Sequence, residues 1–145
     1  MSNTLPNVTI YTDGSCRKNK NGGWASILIY KKTIKEIYGS SINTTNNQME
    51  LCAPLKALKL LKFKCNVIIY SDSQYVVKGG NQWMYKWASN NWITSTNKPV
   101  KNQDLWKELY SLCSQHSVEF AWVKGHNGDF YNERCDELAT KASDF

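Results

Sequence analysis

The spacing of apolar positions divides this chain into short segments of alternating type. Residues 8–12 are β-branched and aromatic up to Asp13-Gly14 and read as a first strand. Gly22-Gly23 is a turn signal. Residues 24–30 and 34–38 follow as strands two and three, joined through Lys31-Lys32-Thr33, an antiparallel meander. From 46 to 63 the period changes. Met49, Cys52, Ala53, Ala57, Leu60 and Leu61 recur at helical spacing, while Lys56, Lys59 and Lys62 mark a solvated face. Thr45 or Asn46 suits the cap, and Pro54 predicts a local bend because its ring opposes the carbonyl of Glu50. Residues 67–71 predict strand four. Residues 73–78 predict a short helix stopped by Gly79-Gly80, and 82–87 a further helical segment. A polar loop with Lys98-Pro99 near its end leads to a helix over 104–115. Val118, Phe120 and Trp122 alternate as strand five, 125–129 is a loop, and 132–142 a last helix. The order implies an α/β fold: a five-stranded mixed sheet, three antiparallel strands plus two parallel, flanked by helices. One domain is expected over 8–142, with tails at 1–7 and 143–145.

Composition changes that picture little, but charge adds to it. With no apolar run near the roughly 20 residues a bilayer requires, and a polar start without a signal-peptide pattern, no membrane partner is expected. Cys16, Cys52, Cys65, Cys113 and Cys135 are odd in number, widely spaced and without a CxxC pair. They read as reduced packing thiols, which points to a cytoplasmic setting, with nucleus or organelle also open. The net charge of +6 favours a polyanionic partner. All cations but Arg17 and Arg134 are Lys, which attracts phosphate as a point charge and lacks the fork that reads guanine, so backbone binding is favoured over base readout.

Asp13 and Asp72 each follow an apolar strand. If strands one and four are parallel neighbours, both carboxylates stand at one end of the sheet, where α/β sites commonly form. Glu50 and Asp136 sit early on the first long and last helices. Singly, each acid reads more readily as a surface charge. Together they would repel, raising at least one pKa unless a counter-charge is present. Two divalent ions supply it, and Mg²⁺ prefers oxygen ligands.

Tyr11-Thr12-Asp13-Gly14-Ser15, Thr44-Thr45-Asn46-Asn47-Gln48-Met49-Glu50, Ser71-Asp72-Ser73-Gln74-Tyr75, Val123-Lys124-Gly125-His126 and Asn132-Glu133-Arg134-Cys135-Asp136-Glu137-Leu138-Ala139 resemble, in family order, the signatures of type 1 ribonuclease H of the bacterial kind. The resemblance runs from about Val8 to Ala142. It implies a ribonuclease H-like fold and a stand-alone, monomeric, sequence-nonspecific endonuclease. Such an enzyme cuts the RNA strand of RNA–DNA hybrids by a two-metal-ion mechanism, leaving 5′-phosphate and 3′-hydroxyl ends. It implies Asp13, Glu50, Asp72 and Asp136 as ligands of two Mg²⁺ ions, with Mn²⁺ as substitute, and His126 assisting proton transfer or product release. It also implies Asn19, Asn46, Asn47 and Gln74 at minor-groove edges and ribose hydroxyls, a fitting use of amides that donate and accept. Thr45 and Asn102 are implied at a DNA-strand phosphate, and Tyr75, Trp83 and Trp87 beside the deoxyribose strand. Those aromatics also read as core, since Trp83 and Trp87 share one helical face.

Two departures concern binding. Asn43 stands where the bacterial pattern has Arg. The protruding basic segment keeps Lys86, Lys98 and Lys101 but has Ala88, Ser89, Asn90 and Asn91 in a stretch often rich in cations. The turn after Asp13 is also altered, reading Arg17-Lys18-Asn19-Lys20-Asn21 before its glycines. Other readings remain: a transposase, integrase or resolvase of the same broad fold, a binding module with a dead site, or a domain cut from a reverse transcriptase.

Overall fold

The computed structural model describes residues 4–125 and 127–145. Five strands, β1 (Asn7–Cys16), β2 (Gly22–Tyr30), β3 (Thr33–Ser41), β4 (Asn66–Ser71) and β5 (Ser117–Trp122), form one sheet in the order β3-β2-β1-β4-β5. β1 pairs antiparallel with β2 and β2 with β3, whereas β4 is parallel to β1 and to β5. The expected mixed sheet is therefore present. Its first strand is longer than the apolar run suggests. The apolar run stops at Asp13-Gly14 and Gly22-Gly23 reads as a turn, yet β1 continues to Cys16 because Gly22–Ala25 belongs to β2 and goes on supplying partners, Asp13 opposite Ala25 and Gly14 opposite Trp24. The parallel register with β4 ends at Tyr11↔Tyr70, so Asp13 projects just beyond it.

Alternation along the strands sends side chains to two cores. One face packs Val8, Ile10, Leu28, Val67, Ile69 and Phe120 against the helices α1 (Asn46–Lys59), α2 (Gln74–Lys78), α3 (Met84–Ser89) and α4 (Gln103–Ser114). The other packs Ala25 and Ile27 against Cys135, Leu138 and Ala139 of α5 (Phe130–Ala142). Trp106 of α4 is wholly buried at the centre of the first core. Such burial is worth about 3–5 kcal/mol against truncation to Ala. Among the described residues, no helix is long and apolar enough to cross a membrane.

Three local expectations are revised. The glycines at 79 and 80 do not stop the helix. The chain passes through a π-helical turn, Gly79–Trp83, straight into α3. A Cβ at Gly79 would stand 2.1 Å from the Trp106 ring, and one at Gly80 2.5 Å from the Phe120 ring. These glycines serve close packing, not termination. α1 is a single helix through Pro54, but it ends at Lys59 instead of reaching 63. The terminal segments are more tied than the expected tails: Asn66 N–H donates to Pro6 O at 2.8 Å, and Ser143 is buried at the end of α5. The loop before α4 is also organised. Ile93 and Pro99 form a bridge, Val100 is buried, and the Trp92 ring packs edge-on against Tyr110 at 5.8 Å.

Candidate active site

Gly14 brings the first two carboxylates together. A Cβ there would lie 2.3 Å from the backbone nitrogen of Glu50, so only glycine lets α1 approach β1 this closely. The Gly14 N–H then donates to both Asp13 Oδ1 and Glu50 Oε1, each at 2.9 Å. Thr45 sets where α1 begins: its hydroxyl accepts from Gln48 N at 3.2 Å, placing Glu50 in the second turn, facing the sheet. Asp72 arrives from β4, directly before Ser73, which caps α2 through Val76 N at 3.3 Å. Ligand atoms of Asp13, Glu50 and Asp72 all lie within 4.8 Å of one another.

Asp13 and Glu50 are each only 4% exposed. At that spacing each pair of ionised carboxylates repels by roughly 3 kcal/mol at an effective dielectric of about 20, so three pairs approach the whole stability of a small domain. The protein responds by holding protons. Burial, with the Asp72 charge adding to it, pushes the Asp13 carboxyl up to about 7. Burial, then the Asp13 charge, pushes Glu50 well above the usual carboxylate range. Glu50 Oε2 is buried without a hydrogen-bond partner among the described residues. Acid-only chemistry with an orphaned oxygen suits an oxygen-preferring divalent cation.

Asp136 stands outside the three-carboxylate group. It is half-buried on α5, and its charge adds to the upward shift of Asp13. Its neighbour Cys135 is buried against β1, the thiol donating to Tyr11 O at 3.3 Å. On the other side, Gly125 lies over Asp72, where a Cβ would be 2.8 Å from Oδ2. His126 lies outside the described residues.

The expected substrate residues divide in two. Asn46 and Asn47, in the first turn of α1, and Gln74, in the first turn of α2, are exposed. Asn19 is exposed too, its Oδ1 accepting from Asn21 N at 3.0 Å. Asn102, Tyr75, Trp83 and Trp87 instead form a half-buried wall. The Tyr75 hydroxyl accepts from Trp106 Nε1 at 2.8 Å and from Asn102 Nδ2 at 3.2 Å. Trp83 packs edge-on to Tyr75, and Trp87 lies between Trp83 and Trp106. These rings pack inward, as the core reading expects, and keep some exposure. The sequence reading missed Gln48. Its Nε2 donates to Asn102 Oδ1 at 3.3 Å while its Oε1 accepts from the Thr44 hydroxyl at 2.8 Å, linking α1 to that wall. Only its place one turn from Thr44 hinted at this.

Comparison with known proteins agrees with the geometry. The RNase H family model matches residues 6–144. A ribonuclease H of Wolbachia sp. subsp. Drosophila simulans is 53% identical over 136 residues, 93% of this chain and 94% of that protein. A ribonuclease H of Francisella tularensis subsp. novicida is likewise 53% identical, over 93% of this chain and 90% of its own length. LC9-RNase H1, described as a type 1 RNase H with the type 2 active-site motif, superimposes with a TM-score of 0.88 at 28% identity, covering 99% of this chain and 75% of that one. The sheet and its acidic cluster thus define a ribonuclease H-like α/β protein. The chain belongs to the RNase H family.

Proposed function

We propose that this protein is an endonuclease that hydrolyses the RNA strand of RNA–DNA hybrids without reading base sequence, leaving 5′-phosphate and 3′-hydroxyl ends. It would use two divalent cations, Mg²⁺ by preference and Mn²⁺ as substitute. The observation that carries the reading is the buried Glu50 Oε2, without a hydrogen-bond partner among the described residues, within a group of three carboxylates. Asp13, Glu50 and Asp72 would hold the metal, with Asp136 the fourth ligand from α5. Cations bound there supply Lewis-acid stabilisation of the phosphodiester and lower the pKa of water.

The remaining work falls to the chain itself. Gly14 N–H fixes the Asp13 and Glu50 oxygens so that they need not reorganise. Asn19, Asn46, Asn47 and Gln74 offer amides to minor-groove edges and ribose 2′-hydroxyls, the groups that separate RNA from DNA. Thr45, whose hydroxyl accepts from Gln48 N, keeps its own proton to donate to a DNA-strand phosphate beside Asn102. Tyr75, Trp83 and Trp87 flank the deoxyribose strand. His126 assists proton transfer or product release. The same reading has a cytoplasmic monomer.

The test is cleavage of a labelled RNA–DNA hybrid with and without Mg²⁺, beside duplex DNA. Only the RNA strand is cut, only with metal, and the fragments carry 5′-phosphates. Robust cutting in excess EDTA, or equal cutting of duplex DNA, overturns the reading.

A further inference from the structure

The turn between β1 and β2, residues 17–21, is held on both flanks. Internally, Arg17 N–H donates to Asn21 O and Lys20 N–H to Arg17 O, both at 2.9 Å. Toward the site, Thr44 N–H donates to Lys20 O at 3.1 Å and the Cys16 thiol to Thr44 O at 3.4 Å, coupling the turn to the loop ahead of α1. Away from the site it is fastened to the end of α5. Arg17 Nε donates to Ser143 O at 3.1 Å and Ser143 Oγ at 3.0 Å, and Nη2 to Thr140 O at 3.3 Å. Asn21 Nδ2 donates to Phe145 O at 2.9 Å.

This fastening is not a casual surface contact. A Cβ at Gly23 would stand 2.1 Å from Ala139 O and 2.6 Å from Ser143 N, so the last turn of α5 rests directly on the β2 backbone. The guanidinium thereby sits at the negative end of the helix dipole and adds a donor to Thr140 O, which Ser143 Oγ also serves. A planar fork can serve several such acceptors at once, while a lysine ammonium offers a point charge on a flexible stem.

We propose that Arg17 is a positioning residue for hybrid binding: by capping α5 from a distant part of the chain, it holds the 17–21 turn and the Thr44 loop in the orientation that presents Asn19, Thr45 and Asn46 to substrate. The proposal rests on the hybrid-cleavage reading for its substrate. The wild-type assay is therefore the first arm, and failure to cut the hybrid there sinks that reading without any variant.

Arg17→Gln and Arg17→Lys are then compared with Lys59→Gln. The last variant removes the same charge and breaks the ion pair between Lys59 and Glu108 at the far end of α1. Both Arg17 variants should raise KM for hybrid on the order of fivefold, as ordering cost moves into the binding step, with kcat within about twofold. Lys59→Gln should leave KM in place. Hydrogen exchange at the Thr44 amide, faster in both Arg17 variants, reads the anchor independently of activity. A wild-type KM in Arg17→Lys means that charge alone suffices and overturns the proposal. So does an unchanged KM in Arg17→Gln, a fall in kcat at constant KM, an equal rise in KM in Lys59→Gln, or unaltered Thr44 exchange.

Discussion

The acidic cluster and the aromatic wall are built on opposite principles. On the acidic side, three carboxylates are set by strands and one long helix, within 4.8 Å, around a backbone N–H that bonds two of them. In the wall from Tyr75 to Asn102, the structure is a π-helical turn, two short helices and a loop with left-handed residues at Asn91, Trp92, Asn97 and Asn102. Its order comes from ring packing and from the Gln48–Asn102–Tyr75 chain of hydrogen bonds. Chemistry that must be positioned within fractions of an ångström is carried by elements that move little. Contacts that sum over a long substrate tolerate a more irregular, replaceable frame.

The largest expected effect lies on the acidic side. Asp13→Asn or Asp72→Asn removes a charged ligand and keeps the shape. Turnover should fall by more than the roughly 10–100-fold that loss of an outer-shell partner costs, with circular dichroism unchanged. Near-normal cleavage at saturating Mg²⁺ by either variant would contradict the assignment.

That side was also the more legible in the sequence. Asp13 and Asp72 each follow an apolar run, and parallel neighbouring strands were enough to bring them together. What sequence reasoning missed depended on neighbours distant in the chain. Asp13-Gly14 reads as the end of strand one, and Gly22-Gly23 as a turn, until the two segments are seen to pair. Gly79-Gly80 reads as a stop because glycine usually punctuates helices. Only the rings of Trp106 and Phe120, 27 and 40 residues away by their numbering, reveal why a side chain is forbidden. Gln48 stands inside a recognised segment, yet its role exists only once Thr44 and Asn102 flank it.

These glycines sharpen the comparison. Gly14→Ala would push α1 backbone away from β1, displacing Glu50, because the obstructing atoms are main chain. We expect a stability loss of about 1–3 kcal/mol or more and a collapse of kcat. Gly79→Ala meets the Trp106 side chain instead. A similar loss of stability should there accompany a raised KM, with kcat largely kept. Thermal melts and steady-state kinetics on both variants decide it, and a matching kcat loss in Gly79→Ala would erase the distinction between the two sides.

Proton linkage gives the next effect. The raised Asp13 and Glu50 carboxyls bind protons in the folded state at pH values where the unfolded chain has released them. Their contribution is therefore fully present below the ordinary carboxylate range and is lost as pH rises toward and past about 7. In EDTA, stability should fall between about pH 4 and 7, by no more than about 4 kcal/mol for Asp13 at about 1.36 kcal/mol per unit. Asp13→Asn should flatten the fall, and Mg²⁺ should reverse it in the wild type. Denaturant melts that are flat with pH in EDTA would show that the cluster is not strained by its own charge.

The smallest effect concerns the irregular wall and its thin cation supply. Hybrid affinity should fall with salt at a slope near −0.9 per neutralised phosphate, taking B-DNA as the guide. Lys86, Lys98 and Lys101 are exposed there, while Ser89 and Asn90 are exposed and uncharged. Asn90→Lys, alone or with Ser89→Lys, should lower KM at moderate salt and steepen the salt dependence, leaving kcat unchanged because the carboxylates lie elsewhere. Asn43→Arg is a less clean gain. Asn43 sits at φ 50°, a left-handed conformation that Asn tolerates and that costs other side chains roughly 1–2 kcal/mol. The added charge then works against backbone strain, so this variant should improve KM less than Asn90→Lys and lower the melting temperature. Equal gains from the two sites would show that the loop ahead of α1 relaxes on binding. No gain from either would mean that Lys18, Lys20 or Lys124 already carries the hybrid's backbone.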